Sequence, residues 1–359
     1  MKIAFIQTYP VYHDLDLSTE EWLRLENRDK WMSAILAADG HDVELLGVAR
    51  ESMEYTYKRP PFGEFPVRLF RATKQHKRNK KDYCRELVDY CRFFDPDLLF
   101  LKGVDGGVGI HLLDRYILPE AKPYVFVIGG KYYNRYLPKA AAVLYETIEQ
   151  KNLLMKPWWG SGNRKIPGEK LFWLPKSIDT DLFRPRKEIP KEFDIISAGR
   201  FIPRKNHDML GKLSNDLDVA LIGDGPMREK LKTTFPELKL LGAVPHGCMP
   251  EQLSRGRYFF HTAAGDFFPR LIAEAMALGL PVIGFRELIA EEVIPANCGI
   301  RVPKDDYRKP VLDFVKNGKE AYARYSTNAR SFVEERFGID SSREPMRNVL
   351  RYLQTKQYI

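Results

Sequence analysis

The chain has 359 residues, 44% of them hydrophobic and 29% charged, with 24 Pro and 25 Gly. That is about twice a typical domain with the composition of a globular protein, which excludes collagenous and broadly disordered chains and predicts two domains with cores of their own. A formal charge of +9 points to anionic partners, and no apolar run reaches the roughly 18 residues of a helical membrane span.

Residues 2–7 (KIAFIQ) read as a first strand that follows Met1 directly, without a secretory leader. Together with four cysteines that lack CxxC or zinc spacing, this gives the expectation of a reducing, cytoplasmic setting. Residues 18–39 read as one helix stopped by Gly40. Strands follow at 42–48 and 67–70, and a basic run, KQHKRNKK at 74–81, leads into a helix at 80–94. The run is either a solvated loop or a surface for an anion: lipid headgroups, a phosphorylated carrier or nucleic acid. Sequence-specific nucleic-acid binding is not expected, because no zinc spacing or aromatic–basic motif accompanies the charge. A fourth strand at 98–101 runs into the glycine-rich turn GVDGGVG (103–109), and a fifth lies at 124–128. Residues 158–168, with Trp158 and Trp159, break the pattern as a loop.

A second series of strands follows at 194–198, 219–222, 239–241, 258–261 and 281–284. Helical segments separate them, and long helical stretches at 307–337 and 341–354 come last. Such alternation predicts parallel sheets with crossover helices, here two Rossmann-like halves joined near residue 185. Ligands in these sheets bind beyond the carboxyl ends of the strands.

Three segments of the second half carry chemistry. In IISAGRFIPRKN (195–206) a buried strand ends in Gly199 and presents Arg200 and Lys205 just before a helix, an arrangement suited to a diphosphate. In LIGDGP (221–226) Gly223 and Gly225 permit close backbone approach around Asp224. In HTAAGDFFPRLIAEAMALGLPVI (261–283) a strand end leads to Asp266, and Glu274 follows on an otherwise small, apolar helix. A carboxylate there needs a partner; a ribose diol suits it, and a nearby Arg is the alternative.

In order and spacing these segments resemble the retaining GT-B glycosyltransferases, in particular the family-four group that uses nucleotide sugars. WLPKSIDTDLFRP (173–185), LAADGHDVEL (36–45) and LGAV (241–244) are similar to the family's segments at those places. The likeness is strong in the C-terminal half and weak in the N-terminal half. It implies an α/β GT-B architecture of two Rossmann-like domains facing across a cleft. Residues 1–185 would bind the acceptor, 186–340 the donor, and a helix at 341–359 would cross back to the first domain. The implied reaction moves a sugar from a nucleotide-diphosphate sugar to an acceptor hydroxyl with retained configuration, in glycan, glycolipid or glycoconjugate biosynthesis. By the same resemblance Arg200 and Lys205 hold the diphosphate and stabilise the leaving nucleotide electrostatically, so neither a metal nor another cofactor is expected. Glu274 would bind the ribose and Asp266 would face the donor sugar. Gly199, Gly223, Asp224, Val244, Phe267, Phe268, Arg270 and Leu271 would complete the donor site. His13, Asp105, Gly129 and Lys131 are the acceptor-side candidates. The acceptor would be a saccharide, a lipid-linked molecule or a small molecule, with peripheral contact to the anionic inner face of a membrane through the basic run.

The chain departs from the family where the donor sugar sits. VIGGKYY (127–133) places Gly129 where the family has a histidine, and Asp266 replaces a glutamate. Phe267-Phe268-Pro269 replaces Gly-Phe-Gly, and Pro269 has no N–H to donate, although Arg270 supplies charge beside it. Without the imidazole, a donor 6-hydroxyl lacks a partner, which favours a 6-deoxyhexose or pentose unless His13 or Lys131 restores the contact. The same departures fit a degenerate protein that binds a nucleotide sugar without turnover. A nucleic-acid enzyme is suggested by charge alone, and the 199–200 and 266–274 segments favour a transferase over a sugar-nucleotide epimerase.

Overall fold

Runs such as IAFI and LLFL have no polar face, so they suit parallel strands covered on both sides. A computed structural model describes residues 1–13, 18–130, 134–157, 165–265 and 267–359. The expected residues Lys131, Trp158, Trp159 and Asp266 lie outside these ranges.

The chain divides into two units, residues 1–175 with 342–359 and residues 176–341. The first holds β1 (Lys2–Gln7), β2 (Asp42–Ala49), β3 (Met53–Lys58), β4 (Glu64–Arg71), β5 (Leu98–Lys102), β6 (Tyr124–Val127), β7 (Ala142–Tyr145) and β8 (Leu171–Trp173). They form one sheet in the order β3-β4-β2-β1-β5-β6-β7-β8, parallel throughout except for the β3–β4 hairpin. Ala4, Ile6, Leu99 and Leu101 face a core built with Leu87, Val88 and Cys91 of the helix Arg85–Phe94. Phe5 and Phe100 turn to the other face and stack with ring centroids 4.7 Å apart. The C-terminal helix Arg343–Thr355 belongs to this unit. It buries Met346, Val349, Leu350 and Leu353 at helical spacing, each contributing roughly 1.5–3 kcal/mol of transfer free energy. Arg343 and Arg347 of the same helix both pair with Asp39.

The second unit holds β9 (Phe193–Ala198), β10 (Val219–Ile222), β11 (Lys239–Gly242), β12 (Gly256–His261), β13 (Val282–Phe285) and β14 (Gly299–Val302). Their order is β11-β10-β9-β12-β13-β14, and every pairing is parallel. Ile195, Leu221, Phe260 and Ile283 form one core face with Phe201 and Leu210. The buried helix Arg270–Ala277 packs beside β12 and the helix Lys319–Phe337.

Several boundaries differ from the sequence reading. The units divide at residue 175 rather than 185, because the segment after β8 is tied into the second unit. There Ile178 N donates to Phe337 O at 2.6 Å, and Arg330 donates to the carbonyls of Thr180 and Phe183. The expected helix at 18–39 is two helices, Thr19–Arg24 and Arg28–Ala38. Leu25, in extended backbone, ends the first, and Asn27 caps the second, its side chain accepting from the amides of Asp29 and Lys30. The expected helix at 80–94 begins only at Arg85. Strands β3, β7, β8 and β14 add to those expected. No described helix is long and apolar enough to cross a membrane.

Candidate active site

Because β9 to β12 are parallel, the loops that follow them all leave the same edge of the second sheet. Backbone hydrogen bonds sew these loops together. Gly199 N donates to Ile222 O at 3.0 Å, Phe201 N to Asp224 O at 2.8 Å, and Gly223 N to Gly242 O at 2.8 Å. Gly223, at φ +136°, lies so close to the β9 loop that a Cβ would sit 2.0 Å from the Gly199 carbonyl oxygen. Only glycine fits there. On the other side, Ala264 N donates to Arg204 O at 3.0 Å and Thr262 Oγ1 to Lys205 O at 2.7 Å.

This stitching fixes the backbone that carries the two expected cations. Arg200 is exposed beyond Gly199, and the half-buried Lys205 closes a 3₁₀ turn, Pro203–Lys205. Behind them sits His207, which the sequence reading passed over. Its ring is buried and lies 3.2 Å from the Arg200 carbonyl through Nε2. Burial pushes its pKa down to about 4, so the ring is neutral and its Nε2–H donates to that carbonyl.

Glu274 is 3% exposed on the helix after β12. Its hydrogen-bonding partner is neither an Arg nor a backbone group of its own helix: Oε1 lies 3.0 Å from Nε2 of His246. His246 is half exposed and rests 5.4 Å from the Phe183 ring. The sequence offered one signal for it, a histidine two residues beyond Val244 at the end of β11. Val244 itself is half-buried, and Asp224 is exposed, accepting from Gly225 N and pairing with Arg228. Phe267 and Phe268 are buried; Phe268 packs edge-on against Phe337 and its carbonyl accepts from Lys176 Nζ at 2.7 Å. Arg270 and Leu271 are half-buried in the first turn of the helix.

The first unit holds the acceptor-side candidates. Asp105 does not bond its own backbone as a lone loop aspartate would; it accepts from Tyr9 OH and from Lys80. His13 stacks on Tyr9 and bonds Asn79 Oδ1 at 2.9 Å. Gly129 is exposed just past β6, and a Cβ there would approach Glu146 Oε1 to 3.7 Å. Glu146 is buried and receives a 2.9 Å bond from the buried Arg28. Next to Arg28, Asp29 takes a bond from Gln7 Nε2 at 3.0 Å and pairs with Lys102. Burial alone would raise the Asp29 carboxyl, but Lys102 and Arg28 hold it below the usual carboxylate range. None of these charge pairs was foreseen.

Residues 179–332, the core of the second unit, match the family model for glycosyl transferases group 1. The second unit is a group 1 glycosyltransferase domain. Over 266 residues the chain is 25% identical to a GDP-mannose-dependent alpha-mannosyltransferase of Mycobacterium tuberculosis, covering 67% of this chain and 69% of that protein. It is 30% identical over 152 residues to a phosphatidylinositol N-acetylglucosaminyltransferase component of Arabidopsis thaliana, covering 38% of this chain and only 34% of that one. Among solved structures, a sucrose-phosphate synthase from Thermosynechococcus elongatus superposes with a TM-score of 0.72 at 16% identity, covering 99% and 100% of the two chains. Anabaena Alr3699/HepE in complex with UDP gives 0.68 at 15% identity, covering 98% and 100%. These neighbours show the GT-B fold for this chain.

Proposed function

We propose that this group 1 glycosyltransferase moves a sugar from a nucleoside diphosphate sugar to an acceptor hydroxyl with retention of configuration. The observation that carries the reading is the stitched carboxyl edge of the second sheet, where Arg200 and Lys205 stand on the β9 loop, itself bonded to the β10 and β12 loops. Cations on a backbone fixed in advance can neutralise a leaving diphosphate without reorganising, so the charge work needs no metal. Glu274 is held ready to accept from a ribose diol, with His246 in the place a ligand hydroxyl would share or take. Support for the donor class comes from the neighbours: Alr3699/HepE was solved with UDP and with UDP-glucose, and the mycobacterial relative is named for GDP-mannose.

At the carboxyl end of β6 the exposed Gly129 offers no side chain. The basis for expecting a 6-deoxyhexose or pentose donor is the family resemblance: where the family has a histidine this chain has Gly129, and a donor without a 6-hydroxyl loses nothing by the missing imidazole. The test is a panel of nucleotide sugars with the full chain, following melting temperature, donor hydrolysis and the anomeric configuration of product by NMR. The true donor raises the melting temperature by ligand linkage and is hydrolysed slowly without acceptor. Inverted product would overturn the retaining mechanism, and a higher kcat/KM for the hexose than for its 6-deoxy counterpart would overturn the donor preference. Stabilisation without hydrolysis or transfer by any donor would leave a nucleotide-sugar-binding protein, the reading that Gly129 and Pro269 favour.

A further inference from the structure

The basic run of the first unit is part of a built groove. Its loop turns on Asp82, a buried carboxylate that accepts from Tyr12 OH at 2.6 Å and from the His76 amide and Nδ1 at 2.5 and 3.2 Å. Thr73 N donates to Tyr83 O at 3.0 Å and closes the loop's base. The loop lies directly on the helix Gly107–Leu112: a Cβ on Gly107 would stand 2.4 Å from the Lys81 carbonyl oxygen. A run that merely waved in solvent would have no such contact.

Between loop and helix opens a cavity of about 730 Å³, and a second of about 640 Å³ adjoins it. Both share Tyr83, His111 and Arg115 in their walls, and the Tyr83 and His111 rings stack at 4.2 Å. The volume suits a compact organic ligand. Charge decides which kind. The acidic residues of the walls are already engaged: Asp105 by Tyr9 and Lys80, Asp114 by Tyr136 OH and Arg135, Asp89 by Arg92. Among the described residues, Arg78, Lys81, Arg85 and Arg115, which also line these walls, have no carboxylate partner. Burial lowers the His111 pKa, and Arg115 and Arg85 lower it further against a smaller opposing pull from Asp114. Like charges gathered around a hollow repel one another, and an anion that enters relieves them. Guanidinium forks match the geometry of a phosphate in particular.

We propose that this groove binds the phosphate of a phosphorylated sugar or polyol, with its ring beside the Tyr83–His111 pair, as the acceptor of the transfer reaction. The acceptor role rests on the function proposed above; the binding itself does not, so the two can fail separately. The experiment titrates the full chain calorimetrically with glucose 1-phosphate, inorganic phosphate and glucose. In parallel it measures co-sedimentation with phosphatidylglycerol and phosphatidylcholine vesicles. Each is repeated on the double variant Lys81→Ala/Arg115→Ala and on Arg200→Ala in the second unit. Lys81 and Arg115 are exposed, so the double variant keeps its melting temperature. The expected result is binding of both phosphates but not of glucose, weakened at least tenfold in the double variant and retained in Arg200→Ala. Binding confined to phosphatidylglycerol vesicles, and lost in the double variant, identifies the phosphate as a lipid headgroup's; binding of glucose 1-phosphate identifies a soluble ester. Equal affinity in wild type and double variant, equal affinity for glucose and glucose 1-phosphate, or no binding of any phosphate overturns the proposal. So does phosphate binding that disappears with Arg200→Ala alone.

Discussion

The carboxyl edges of the two sheets solve one topological situation in opposite ways. At the ends of β5 and β7 in the first, charges are spent on one another, the buried Arg28 on Glu146 and the partly exposed Lys102 on the buried Asp29. At the second, the backbone does the holding, through amides, glycines and a neutral His207, while Arg200 remains exposed. The lesson is that a strand-end cation carries no functional message by itself. What matters is whether the fold has already given it a partner. A cation already tied into an ion pair is electrostatically quiet; one carried on a backbone held by amides is left for a ligand.

Substitutions can break that contrast, and the largest effect belongs to the first edge. Glu146→Ala strands the buried Arg28 and should cost about 3–5 kcal/mol of stability. Nucleotide affinity, measured on the folded fraction, should stay as in wild type; a parallel loss of affinity would mean that the first edge also serves the donor. Next come Arg200→Ala and Lys205→Ala, each expected to lower kcat/KM by about 2–4 kcal/mol of transition-state stabilisation, with melting temperatures nearly unchanged. Full turnover in both would remove the functional half of the comparison.

A pH titration sharpens the contrast further. The folded pKa of His207 is about 4 against 6.5 unperturbed, so the unfolded chain binds its proton first. The stability conferred by the neutral ring is complete above pH 6.5 and drains away as pH falls to about 4, at most about 3 kcal/mol. Asp29, held below the usual carboxylate range, acts lower still: its contribution is present above about pH 4 and is lost on further acidification. Denaturant titrations at stepped pH should resolve the two windows, and His207→Gln should flatten the upper one. If the upper window persists in that variant, another group is responsible. The smallest effect is Glu274→Gln, which should weaken a nucleoside diphosphate and its sugar by the same 1–3 kcal/mol or so. A fall in melting temperature with intact nucleotide affinity would mark Glu274 as structural, held only for its bond to His246.

Much of the second edge was legible because its devices are local. Gly199, Gly223 and Arg200 each sit at the end of a short apolar strand, and strand, glycine and cation are neighbours in the chain. The first edge was not, because its pairs are made by remote residues: Arg28 and Glu146 are 118 positions apart, and nothing in either neighbourhood announces the other. Length explains the missed strands as well. Strands β7, β8 and β14 run for four, three and four residues, too short for any period to show. The β3 segment, MEYTYK, has only Tyr57 fully buried, as an edge strand exposed on one side must. His246 shows a third limit, since its interest lies wholly in Glu274, 28 residues away.

The division of the chain has a consequence for how the molecule is made. Residues 176–341 are an insertion within the first unit, which is completed only by residues 342–359. The two ends of the insertion are clasped by the bridge between Ile178 and Gly338. On the ribosome, then, the glycosyltransferase domain has its whole sequence while the first unit still lacks the helix that buries Met346 and Leu353. The nascent first unit must wait with that surface uncovered, and its last helix arrives only after the insertion has had time to fold.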